Sequence, residues 1–182
     1  MNNNKGLITI IGAAALVLAI LGVTSTSVNE TESYRVYAST NSSNSTTSIG
    51  DPFFVEKGRI IGQRVLSVAP QPQLEFTFIA NGTINNSINF TNTGTTVSNL
   101  QANGTFTSKG QGFIMTEEGE VATWTNQVVG QRTQDGNVIS HGAGFWRTPS
   151  IGDLAFMDGL MTIFKLEIDN EGNLSTEEWK WS

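Results

Sequence analysis

The sequence predicts an all-β fold: a single antiparallel meander β-barrel of about eight strands, preceded by an N-terminal signal or anchor and a disordered linker. Three observations predict it. From Gly58 onward, apolar residues recur at every second position, the period of a strand with one buried face. Clusters rich in Gly, Asp and Asn separate these runs, as tight turns between neighbouring strands require. No segment after Gly50 carries the 3.6-residue period of an amphipathic helix.

Met1–Gly6 holds one cation, Lys5, and Leu7–Val23 is a continuous apolar run of 17 residues with a single Thr. That is the layout of a secretory signal, and its length also reaches the roughly 17–25 residues of a membrane span. Residues 1–28 are therefore expected to be a cleaved signal peptide or a retained N-terminal anchor. Residues 29–52 follow as a linker, because Ser39–Ser48 contains only Ser, Thr and Asn and buries no apolar area to offset ordering. Residues 53–182 form the folded domain. Its expected location is extracellular or at the cell surface, with a membrane touched only through the N-terminal segment.

Within the domain, strands are expected at 58–68, 73–81, 84–92, 97–107, 110–116, 120–127, 137–147, 153–157, 160–169 and 174–182. Leu74, Phe76, Phe78 and Ala80 share one face, as do Thr162, Phe164, Leu166 and Ile168. Ile139, His141, Ala143, Phe145 and Arg147 share another, which the apolar members assign to the inside. Trp179 and Trp181 share a face expected to be buried. Glycines inside strands, such as Gly62, Gly110, Gly142 and Gly144, favour a tightly coiled barrel over a two-sheet sandwich, the chief rival. Closure also removes exposed edges.

Composition narrows the chemistry. There is no Cys and only one His, which excludes disulfides, thiolate sites and multi-histidine metal centres. The net charge is −6 and the ten Lys and Arg are scattered, so nucleic acid is not an expected partner. A serine triad would need His141 as its base and lacks a nucleophile elbow. Asp169–Glu178 has its Gly at the wrong place for a calcium loop and reads as a hairpin turn. Glu117, Glu118 and Glu120 read as a solvated turn. No catalytic residue, metal site or cofactor is assigned.

The stretches Gly58–Val68, Gly110–Thr125 and Gly159–Trp181 resemble a group of uncharacterised secreted proteins from ammonia-oxidising archaea. The Gly-punctuated meander is also similar, more loosely, to small barrels of the allene oxide cyclase and calycin type. That likeness implies an apolar ligand in the lumen and carries no catalytic residue across.

Two sets of candidate positions remain. An inward His141, with Arg147 near a mouth and Phe145 and Trp124 alongside, would orient a small, largely apolar ligand. Asn81, Asn85, Asn89 and Asn103 open N-x-[ST] triplets, acceptors for glycosylation in an exported chain. Three functions follow: an exported, non-catalytic ligand-binding barrel; a glycosylated cell-surface structural or interaction protein; or a cofactor-free isomerase or cyclase that needs a carboxylate or histidine with a perturbed pKa.

Overall fold

The structure, a computed structural model, describes residues 50–181; the expected leader and all but the last residues of the expected linker lie outside them. Eight strands follow in chain order: β1 Phe54–Ser67, β2 Gln73–Ile84, β3 Ile88–Leu100, β4 Thr105–Thr116, β5 Val121–Arg132, β6 Val138–Arg147, β7 Met161–Ile168 and β8 Asn173–Lys180. Each pairs antiparallel with the next, and β8 pairs back to β1, closing the barrel. Closure rules out the sandwich, since no edge is left unpaired.

The β4–β5, β5–β6 and β7–β8 turns fall at the expected clusters, whereas the β2–β3 turn lies at 85–87, inside the strand expected at 84–92. Gly136 and Gly172 take positive φ (87° and 86°) in the β5–β6 and β7–β8 turns, a conformation that glycine adopts at no steric cost. Asp169 braces the second turn by accepting from the backbone N–H groups of Glu171 and Asn173, each at 2.9 Å.

Three expectations about elements are corrected. The stretches 93–96 and 108–109 do not interrupt strands: β3 and β4 run through them, and the chain turns at 101–104 instead. Polar and glycine residues occupy those positions because a large ring fills the lumen beside them. A Cβ at Gly94 or Gly112 would collide with the Trp124 indole. Residues 153–157 are not a strand but part of a longer connection containing one 3-10 turn, Ala155–Met157. Trp181 is 65 % exposed, and Trp179 lies on the same outer side, because Leu174, Thr176 and Glu178 take the inward phase of β8.

The lumen is filled by side chains. One end holds an apolar cluster that includes Phe54, Ile84, Ile114 and Trp146, joined by Leu154 and Met157 from the β6–β7 connection. Phe54 stacks on Phe90 at 4.5 Å between ring centroids. Burying each such side chain contributes roughly 1.5–3 kcal/mol. Beneath this cluster lies a polar belt formed by Glu56, Asn92, Thr162, Thr176 and Glu178, all buried.

Candidate functional site

Two regions concentrate chemistry: a hollow on the outer wall and the polar belt inside. The hollow follows from register. On the outside of the barrel, Ile79, Thr93, Phe113, Thr123 and Arg147 stand in one row across β2 to β6. Thr77, Thr95, Gln111, Thr125, Phe145 and Met161 form the next row, reaching β7. Between the rows, Gly94 and Gly112 present no side chain, and the wall dips to a hollow of about 480 Å3 floored by Trp124. Phe113 and Phe145 are each 40 % exposed at its sides. Arg147 stands at the rim, where its Nε donates to Asp158 Oδ1 at 2.8 Å.

The expected ligand residues are thus divided. Trp124, Phe145 and Arg147 all border this hollow, but Phe145 and Arg147 reach it from outside the barrel, and only Trp124, which floors it, points into the lumen. His141 is exposed on the outer wall and does not join them. The inward assignment of the His141 face is corrected for a packing reason. The opposite phase of β6 is Ser140, Gly142, Gly144 and Trp146, and the Phe164 ring occupies the space a Cβ on Gly142 would need. Beside that ring only the small Ser140, Gly142 and Gly144 fit inside, and Trp146 enters the lumen beyond it.

The polar belt is the feature the sequence did not announce. Glu56 Oε2 accepts from Asn92 Nδ2 at 2.8 Å, and Oε1 accepts from Thr176 Oγ1 at 2.9 Å. Asn92 Oδ1 in turn accepts from the Trp124 indole at 2.9 Å. Glu178 Oε2 accepts from the Trp146 indole at 3.2 Å. The two carboxyls are diagonal neighbours: Glu56 opposes Thr176, and Glu178 opposes Phe54.

Burial pushes the Glu56 carboxyl up to about 7, against the smaller opposing effects of its Asn92 and Thr176 hydrogen bonds. Burial pushes Glu178 up to about 8; the nearby Thr162 hydroxyl and the Trp146 indole lower it, and the charge of Glu56 raises it further. The Thr162 hydroxyl stands beside this carboxyl without reaching full hydrogen-bond geometry, which leaves its Oγ1 unpartnered. Asn126 Oδ1 and Ser140 Oγ are likewise buried without a partner. Such groups cost about 1–3 kcal/mol each unless something satisfies them. Two carboxyls buried this way hold their protons to higher pH than exposed carboxyls do. Among the described residues, no group of three or more His, Asp or Glu side chains is placed to hold a metal ion.

The sequence offered one signal for this belt. Glu56 lies in phase with Phe54, and Glu178 in phase with Leu174 and Thr176. Glu120, expected in a solvated turn, has a structural task instead. It accepts hydrogen bonds from Ser150 Oγ at 2.6 Å and from the backbone N–H groups of Leu154 and Asp153 at 2.8 and 3.0 Å. These donors hold its carboxyl below the usual range.

Asn81, Asn85 and Asn89 all lie exposed on the β2–β3 hairpin, and Asn85 and Asn86 form its tip with φ of 50° and 58°. Asn81 accepts from Thr91 Oγ1 at 2.9 Å, and Asn89 donates to Glu117 at 3.4 Å. Asn103 is exposed in the β3–β4 turn, where Thr105 Oγ1 donates to its side chain at 2.7 Å.

Neither a protein-family model nor a curated protein matches the chain. Two solved structures are similar to it. A conserved protein of unknown function from Rhodopseudomonas palustris aligns with a TM-score of 0.61 and 8 % identity, over 71 % of this chain and 95 % of its own. A protein of unknown function from Clostridium acetobutylicum ATCC 824 aligns with a TM-score of 0.62 and 10 % identity, over 72 % and 98 %. The likeness is one of fold: this chain is a small β-barrel similar to these uncharacterised proteins.

Proposed function

We propose that the protein is an exported, non-catalytic barrel that binds a small, largely apolar ligand in the hollow of its outer wall. The observation that carries this reading is the convergence of Trp124, Phe113, Phe145 and Arg147 on one concave surface. Its volume, about 480 Å3, is on the scale of about 300–1,000 Å3 typical of ligand sites. Aromatic sides supply apolar contact area, and the Arg147 guanidinium at the rim favours a ligand with one anionic group. Export is supported by the apolar leader and by the resemblance to secreted archaeal proteins.

The test uses a probe of that shape, 8-anilinonaphthalene-1-sulfonate, titrated into the purified full chain. Saturable binding at one site is expected, weakened about tenfold by Phe145→Ser or Phe113→Ser, which corresponds to about 1.4 kcal/mol. Phe156→Ser, on the exposed surface outside this hollow, is the control and should bind as the parent does. Non-saturable binding, or equal loss in all three variants, overturns the reading.

A second reading, a glycosylated protein displayed at the cell surface, is favoured by one observation. Asn81, Asn85 and Asn89 project from a single exposed hairpin, which leaves glycans there clear of the hollow's aromatic sides.

A further inference from the structure

The β6–β7 connection, residues 148–160, closes one end of the lumen. Leu154 and Met157 are fully buried and enter the apolar cluster beside Phe54 and Trp146. Its attachments are local and largely polar. The Glu120 carboxylate holds its first half through the hydrogen bonds of Ser150, Asp153 and Leu154. Its second half is bonded to Trp146: Gly159 N–H donates to the Trp146 carbonyl at 3.0 Å, and Trp146 N–H donates to the Leu160 carbonyl at 2.9 Å. The indole of the same Trp146 donates to Glu178 Oε2. One residue therefore joins the plug to the buried carboxyl pair.

We propose that the 148–160 segment is a proton-controlled lid, shut while Glu56 and Glu178 are both neutral and opening when they ionise. The reasoning is electrostatic and geometric. A carboxylate sealed in an apolar interior demands water or a counter-cation. Among the described residues, no cation faces the pair. Glu56 from β1 and Glu178 from β8 face each other. The lumen positions of β2 to β7 beside them carry Ala80, Asn92, Ile114, Trp124, Gly144 and Thr162, none ionisable. Arg132 and Lys180 are exposed at the ends of their strands, and Lys180 Nζ lies 4.5 Å from the Phe156 ring centroid. Glu120 and Asp153, against and on the lid, add negative charge, while Asp158 is paired with the exposed Arg147 on the outer side.

Relief must therefore come from water. Around its circumference the belt is enclosed by continuous strand pairing, and at the end beyond the apolar cluster the cover is the lid, held by side-chain and turn hydrogen bonds rather than by a strand ladder. The unpartnered Thr162 Oγ1 gives entering water a polar partner beside Glu178. This inference is independent of the ligand reading, since the hollow lies on the outer wall.

Hydrogen exchange followed by mass spectrometry tests it, on the full chain in mild detergent at pH 6, 7, 8 and 9, with rates corrected for the intrinsic pH dependence. Amides of 153–159 are expected to lose about tenfold in protection between pH 6 and pH 9, while amides of β3 and β4 keep theirs. Glu178→Gln leaves only Glu56 to ionise and should lose clearly less lid protection at pH 9 than the parent. Gly152→Ala should open it already at pH 6, because a Cβ there collides with Glu120 Oε1. Lid protection that stays constant across the pH series overturns the proposal. So does equal loss in lid and strands, which would be global destabilisation, or unchanged opening in Glu178→Gln. Should that variant fail to fold, Glu56→Gln replaces it, and the parent pH series alone still decides.

Discussion

Raising the pH from 5 to 9 should weaken the barrel by several kcal/mol, and the buried carboxyl pair fixes both the sign and the size. Glu178 rises from an ordinary 4.5 to about 8, and Glu56 from 4.5 to about 7. Because the folded state holds these protons more tightly than the unfolded chain, it binds more of them between pH 4.5 and 8. Stability is then complete below about pH 4.5, declines as pH climbs through 7 and 8, and levels off above. Each tenfold tightening of proton binding on folding is worth about 1.4 kcal/mol, so Glu178 alone would give about 5 kcal/mol. Water reaching the pair through an open lid relieves part of that, and the net loss should be about 3–5 kcal/mol. This is a large share of the roughly 5–15 kcal/mol that holds a domain together. Carboxylates held low, such as Asp158 and Asp169, act in the opposite sense: their stabilisation is present above their ordinary values and is lost only at more acid pH. The assay is guanidinium unfolding followed by tryptophan fluorescence at one-unit steps. Glu178→Gln, which cannot ionise, should flatten the curve. Stability that is level or rising between pH 5 and 9, or a Glu178→Gln curve as steep as the parent's, would refute the reasoning.

Further outcomes are expected elsewhere. Gly112→Val places a branched side chain against the Trp124 ring and the Thr93 carbonyl; it should cost about 3 kcal/mol or prevent folding, read by thermal melting. Trp146→Phe keeps a ring in the cluster but removes the donor to Glu178, which should lower stability by about 1–3 kcal/mol at neutral pH, measured by denaturant titration. Glu120→Ala strips three hydrogen bonds from the lid without touching the lumen; limited proteolysis should then cut within 148–160 while the strands persist. In a host that glycosylates, mass spectrometry should find Asn85 occupied, since it sits at the exposed hairpin tip.

The meander and its closure were legible because alternation survives wherever inward residues are also the apolar ones. Leu74, Phe76, Phe78 and Ala80 of β2, and Thr162, Phe164, Leu166 and Ile168 of β7, behave so. In β6 the same rule gives the wrong face. A narrow lumen is shared among eight strands, and a ring from one strand requires a void on its neighbour. Trp124 takes the space above Gly94 and Gly112, and Phe164 the space above Gly142. The glycines that mark an inward face there carry no hydrophobic signal, while Phe145 is left outside. Glu56 and Glu178 were hidden for the converse reason. A charged residue is read as solvated, and what keeps these two neutral is burial beneath strands distant in sequence; Asn92, Thr176 and Trp146 satisfy their oxygens without outweighing it. The outer hollow depends on register across four strands, β3 to β6, which no single segment encodes.

Closure itself has a kinetic consequence. The hydrogen bond from Thr176 to Glu56 spans 120 residues of chain, and β1 owes a third of its backbone partners to β8. Because β8 is the last of the eight strands to emerge, a chain made or threaded from its N-terminus must carry an open seam along β1 until nearly every residue has been delivered. Such long-range pairing is intrinsically slow. The molecule is thus most vulnerable to sticking to its own kind in the interval just before its final strand arrives.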